Sequence, residues 1–201
     1  MVAVGDEFSN PRSGERFVWR ATAASTAGAF CEFDLFLKGG ATVAAPHVHP
    51  RQTETFDVVS GDLSLEIAHE RRRLRAGERG VVPPGTRHAW GVAGTEPAEV
   101  LVRLEPALNI EEFFERFCAI ARNGGATRSG VPRNPFRLAL FLHDFRAEWA
   151  FPEPWQRRLL PPVMALLAAL ARRFGVSPTG DDRRRTTAAV EPELDERRRL
   201  P

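Results

Sequence analysis

At Pro106 the hydrophobic period of the chain changes from two to about 3.6, so the molecule must join a β structure to a helical one. Before that point, apolar residues alternate with polar ones over 17–20, 30–37, 53–59, 63–68, 80–82, 88–92 and 100–104. Gly39-Gly40, Ser60-Gly61-Asp62, the arginine-rich stretch around Arg71-Arg72-Arg73, and Gly94-Thr95-Glu96-Pro97 separate these runs. Short alternating strands with turn chemistry between them predict an antiparallel barrel or sandwich.

After Pro106, Ile110, Phe113, Phe114, Phe117, Ile120 and Ala121 fall on one helical face. Asn109 stands as the cap, Glu111 and Glu112 lie in the first turn, and Asn123-Gly124-Gly125 forms the stop. A second helix is expected to start at Asn134-Pro135 and run to about Trp149, with Leu138, Phe141, Leu142 and Phe145 inward. A third, 155–174, should be interrupted at Pro161-Pro162. Its later half, 163–171, is apolar almost all round and should be buried, with protein rather than lipid as the favoured cover. The expected organisation is a mainly β unit over 1–108, a helical extension of about three helices over 109–175, and a disordered, charged tail over 176–201.

His47 and His49 are one residue apart. On a strand their side chains share a face, so both imidazoles can reach one ion while Val48 points away. The spacing around them is specific: Gly40, six residues, His47-Val48-His49, four residues, Glu54, six residues, Gly61. A second block reads Gly77, five residues, Pro83-Pro84-Gly85, two residues, His88. Together the blocks resemble the two signature motifs of the cupin superfamily, over roughly Val18 to Pro106. The resemblance implies a single jelly-roll (double-stranded β-helix) barrel with the motifs on neighbouring strands, and a metal held by His47, His49, Glu54 and His88. One departure is Val92, where the second motif often carries asparagine; that residue is not a usual ligand. The barrel followed by a Phe-rich helix also resembles many small bacterial cupins of unassigned activity. His69 and His143 lack motif context and read as ordinary structural histidines.

Three imidazoles with one carboxylate suit Fe, Mn, Ni, Co, Cu or Zn rather than Ca or Mg. A net charge of +2, with arginine clusters at Arg71-Arg72-Arg73 and Arg183-Arg184-Arg185 read as solvated turns and tail, gives no nucleic-acid signature, and no helix-turn-helix pattern is present. Cys31 and Cys118 are far apart and form no CxxC. With no leader-like start and no apolar run of membrane-spanning length, a cytoplasmic protein with reduced thiols is expected. The preference for arginine over lysine, of which Lys38 is the sole example, fits a GC-rich bacterial genome.

Phe56 and Val58 share a strand face with Glu54, and Trp90 shares that of His88, so these three are the candidate substrate-binding residues of an apolar pocket. The favoured activity is that of a dioxygenase on a small hydrophobic or aromatic oxygenated molecule, with Glu54 as ligand or base. The alternatives are redox-neutral Lewis-acid chemistry (isomerase, cyclase, dehydratase or decarboxylase) and ligand binding without turnover. The chain has no tyrosine. Further acid–base groups are therefore sought among Glu32, Asp34, Glu66, Arg103 and Glu105. A homodimer is expected.

Overall fold

A computed structural model describes residues 2–41, 45–127 and 131–180. Strands β1 (Glu7–Ser9), β2 (Arg16–Ala21), β3 (Cys31–Leu37), β4 (Thr53–Ser60), β7 (Arg79–Val82) and β9 (Ala98–Glu105) form one antiparallel sheet, in the order β1-β2-β3-β9-β4-β7. Strands β5 (Asp62–Ile67), β6 (Glu70–Arg75) and β8 (His88–Val92) form a second, ordered β6-β5-β8. Helices α1 (Ile110–Arg122), α2 (Pro135–Asp144) and α3 (Pro154–Arg173) follow. This is the jelly-roll architecture with its helical extension.

The alternation that predicts the strands also fills the barrel. On β9, Ala98, Val100, Val102 and Leu104 face inward, opposite Leu37, Leu35, Phe33 and Cys31 of β3. On the other side of β9, β4 sets Glu54 against Leu104, Phe56 against Val102 and Val58 against Val100. Glu54 is therefore carried inward by the register that buries its apolar neighbours. Helix α1 closes one end of the barrel. Phe114 enters the aromatic cluster of Phe17, Trp19 and Phe33, with ring centroids 4.6 Å from Phe17 and 5.2 Å from Phe33. Gln52, fully buried, donates to the carbonyls of Pro106 and Ala107 and so fixes the point at which strand gives way to helix.

Several expectations are corrected. Arg71, Arg72 and Arg73 lie on strand β6 rather than in a turn; the turn is Ala68-His69, both with positive φ. Paired with Glu66, Glu70 and Asp62, these arginines line an exposed edge, where charge discourages further strand addition. The other cluster, Arg183-Arg184-Arg185, lies outside the described residues. Asn109 occupies the cap position of α1, but its side chain donates to Glu148 instead of capping. Asn134 does cap α2, accepting from the N–H groups of Phe136 and Arg137. Helix α2 stops at Asp144, short of Trp149, because Ala150 is drawn into reciprocal backbone bonds with Val48.

Helix α3 passes through Pro161 and Pro162 unbroken. Proline at its start and the Gln156 side chain accepting from the Glu153 N–H stabilise its first turn. In the later half of α3, Ala168 and Ala171 are buried within the chain, whereas Val163, Leu166 and Leu170 face outward. Part of the expected disordered tail is placed, since the carbonyls of Ser177 and Thr179 accept from Arg137 and Asn123. The remainder, 181–201, lies outside the described residues.

Two motif glycines separate conformational strain from steric strain. Gly61 has φ +70°, and an added Cβ would sit 2.3 Å from the Pro97 carbonyl oxygen. Gly77 has φ +87° with open space around it. Gly77→Ala should cost about 1 kcal/mol for the left-handed backbone alone. Gly61→Ala should cost about 2 kcal/mol more, because its neighbour is backbone. Denaturant midpoints of both variants check this, and equal losses would contradict it.

Candidate metal centre

The centre is built on backbone pairing. His47 and His88 exchange N–H···O=C bonds, both 2.9 Å, so the two motifs lie on neighbouring strands with their histidines on one face. Val48, on the opposite face of its strand, exchanges bonds of 3.1 and 2.8 Å with Ala150. The 47–49 segment is thus held between β8 and the connection from α2 to α3. The Gly85 N–H donates to the His49 carbonyl, anchoring the Pro83-Pro84-Gly85 turn beside it.

Each imidazole is oriented in the same way. Nδ1 of His47 donates to the Ala45 carbonyl at 2.9 Å, Nδ1 of His88 donates to that of Thr86 at 3.0 Å, and Nδ1 of His49 donates to that of Glu148. Carbonyls only accept, so the proton of each neutral ring is on Nδ1 and the Nε2 lone pair is free. Those lone pairs converge: His47 Nε2 is 3.3 Å from His49 Nε2, and Glu54 Oε2 is 3.4 Å from His49 Nε2 and 2.8 Å from His88 Nε2. All four donor atoms lie within 4.8 Å of one another, and all four residues are buried. Glu54 Oε2 and His88 Nε2 are also among the buried atoms without a hydrogen-bond partner. Convergent, oriented and otherwise unsatisfied donors fit a divalent transition metal. The same donor set does not choose among such metals.

Electrostatics supports this reading. Burial, then the neighbouring His88 and His49, press the pKa of His47 well below the usual imidazole value, leaving it a neutral donor. For Glu54, burial acts to raise the pKa, but His49 and His88 outweigh it and hold the carboxyl below the usual range. Burial acts to lower that of His49, and the Glu54 carboxylate more than offsets it.

His47, His49 and Glu54 open onto a cavity of about 320 Å³, with His88 buried behind them. Of the expected pocket residues, Trp90 lines it; Phe56 and Val58 are packed in the core behind it, Phe56 with its ring 6.1 Å from that of Trp90. The helical half supplies most of the remaining wall, including Phe113, Phe117, Phe141 and Trp149. Trp149 lies parallel to His47 at 6.3 Å. None of the five acid–base groups sought in the strands faces the cavity. Asp34 pairs with Arg20, Glu66 with Arg87 and Arg71, and Arg103 with Glu105.

The carboxyl that does line the cavity is Glu15, just before β2. It is 4% exposed, accepts from the Ser13 hydroxyl at 2.6 Å, and has no cationic partner among the described residues. Burial raises its pKa to about 7, against the smaller opposing effect of its hydrogen bonds. Ser13-Gly14-Glu15 looks like an ordinary loop in sequence, so nothing local signals its burial. Glu148 was also missed; its carboxylate accepts from the backbone and side chain of Asn109 at 3.0 and 3.2 Å, linking the His49 support to α1.

Residues 34–103 match the family model described as a cupin domain. The barrel is a cupin domain. Solved structures similar to it include KdgF from Halomonas sp., 23% identical over 52% of this chain and 91% of that one, with a TM-score of 0.45. A predicted oxalate decarboxylase from Thermotoga maritima is 17% identical over 53% and 99%, TM-score 0.45. A cupin-superfamily sugar phosphate isomerase from Silicibacter pomeroyi is 20% identical over 50% and 70%, TM-score 0.43. These likenesses concern the fold alone. No curated protein matches the chain. The family match ends at residue 103, so the helical wall of the cupin cavity lies outside it.

Glu15 gives a signed pH dependence. Its pKa is about 7 when folded, against an ordinary value of 4.5, so the folded state holds the proton more tightly. The resulting stabilisation is complete below pH 4.5 and lost as pH rises through about 7. Across that window the wild type should lose on the order of 3 kcal/mol relative to Glu15→Gln. Denaturant unfolding of both proteins from pH 4 to 8 measures this; parallel pH profiles would refute it.

Proposed function

We propose that this chain is a metal-dependent enzyme acting on a small hydrophobic or aromatic molecule that carries an oxygen donor. The observation that supports this most strongly is the composition of the cavity: a four-donor metal centre, aromatic walls, and a single additional carboxyl at Glu15. A structural metal site has no need of a cavity of about 320 Å³ beside it. When bound, the ion supplies Lewis acidity toward a substrate oxygen and, if redox-active, electrons.

The chain's own groups then have distinct tasks. Trp90, Phe113 and Trp149 hold the apolar body of the substrate and keep water out. Glu54 stays ionised as a ligand, because His49 and His88 stabilise its charge. Glu15, with a pKa of about 7, can take a proton from a substrate atom or return one near neutral pH. It also borders a second cleft, lined by Ser9, Asn10 and Lys38, through which its proton can exchange with solvent. Two carboxyls in one cavity with their pKa values driven apart is the pattern of a proton-transfer site. This favours a redox-neutral reaction: isomerisation, cyclisation, dehydration or decarboxylation.

A second reading, the oxygen-dependent cleavage expected of a dioxygenase, is favoured by the three-histidine, one-glutamate donor set and by the near absence of polar wall residues. Oxygen dependence separates the two. With a panel of diketones, flavonols and polyketide intermediates, turnover should persist without O2. Glu15→Gln should lower kcat by about 100-fold or more and remove the limb of the pH profile near 7, with metal content unchanged. Turnover that stops without O2 would establish the second reading; full activity and an unaltered profile in Glu15→Gln would eliminate the proton-transfer role.

A further inference from the structure

Helix α3 carries its large apolar residues on the wrong side for a helix that only covers a core. Toward α2 it packs the small Ala168 and Ala171 against Leu140 and Phe136. Trp155, Leu159, Val163, Leu166, Leu170 and Phe174 lie along the helix and its C-cap, each between 38 and 73% exposed. At 3.6 residues per turn these six fall within an arc of about 100°, forming one stripe about 30 Å long. Scattered exposed leucines need no explanation, but a continuous stripe with an aromatic residue at each end does.

The charges around the stripe identify its occupant. Residues 154–173 contain four arginines, Arg157, Arg158, Arg172 and Arg173, and no acidic residue. Arg158 and Arg173 are exposed and form no ion pair among the described residues; Arg172 is engaged by Asp144. A second copy of α3 fits poorly. Antiparallel pairing would set the arginine pair at each end against the opposite pair of its copy, and parallel pairing would align like ends, with no carboxylate on either helix in compensation. An anionic lipid surface supplies what is missing: apolar depth for the stripe, headgroup phosphates for Arg158 and Arg173, and an interface for Trp155 and Phe174. No helix among the described residues is long and apolar enough to cross a membrane, so the contact would be in the plane.

We propose that the outward stripe of α3, from Trp155 to Phe174, docks the protein on an anionic lipid surface. A cleft of about 510 Å³ between α2 and α3, lined by Pro161, Pro162 and Met164, shares Leu142, Trp149 and Phe151 with the metal cavity. That cleft lies on the α2-facing side of α3, opposite the stripe. The docking does not rest on the function proposed above.

The test uses the full chain, sedimented with vesicles of phosphatidylcholine alone or mixed with phosphatidylglycerol. Binding should be roughly tenfold or more stronger to the mixed vesicles, weaken at high salt, and blue-shift the emission of Trp155, a shift absent in Trp155→Phe. Leu159→Ser/Leu166→Ser should bind roughly tenfold or more weakly while keeping its thermal midpoint, since both positions are exposed. The proposal is overturned if the mixed vesicles leave the protein in solution, if the double variant binds as well as the wild type, or if light scattering shows a dimer that the double variant dissociates.

Discussion

The two backbone hydrogen bonds exchanged by His47 and His88 are the constraint on which the rest of the structure depends. They register the two halves of the barrel so that both imidazoles leave the same face at the same height. The outer edge of the 47–49 segment is then filled by Ala150, which brings Glu148 to His49 and Trp149 to His47. The short 47–49 segment, bridged on both edges, therefore joins the barrel to the helices. It also explains why α2 stops where it does: the ladder with Val48 takes the backbone that a longer helix would have used.

Two carboxyls in the cavity show how environment divides identical chemistry. Glu54 and Glu15 are both buried, and burial alone would raise both. Glu54 faces His49 and His88, whose charge and hydrogen bonding outweigh its desolvation. Glu15 has only a serine hydroxyl and a nearby asparagine, so desolvation prevails. The difference is one of partners rather than depth. Under the proposed function, Glu54 would serve the metal as a standing anion and Glu15 the substrate as a titratable acid.

Much of this was legible in the chain, and what was not has identifiable reasons. The clustering of His47, His49, Glu54 and His88, the strands that carry Glu54 and His88, and the start of α2 follow from spacing, period and cap chemistry, which are local. The pocket residues were half-legible: Trp90 lines the cavity, whereas Phe56 and Val58, on the same strand face as Glu54, are core because Trp90 and the opposite sheet cover them. Glu15 could not be read at all, since its burial arises where the chain folds back on itself, with Cys118 of α1, remote in sequence, close enough to feel its charge. The strand β6 was hidden by its charges, which mark an edge as readily as a turn. For helix α3 the sequence implies a cover, since it is apolar nearly all round, but not whether the chain itself provides it.

The central claim is that His47, His49, Glu54 and His88 act together as a metal centre. It is tested most directly by stripping the purified protein with a chelator and titrating it with Zn(II), Co(II) and Fe(II), following bound metal and thermal midpoint. The account predicts one ion per chain, a midpoint that rises with free metal, and affinity weakened by about 100-fold or more in His47→Ala, Glu54→Ala and His88→Ala. Full-affinity binding of one ion in His88→Ala, or no binding by the wild type, would contradict it.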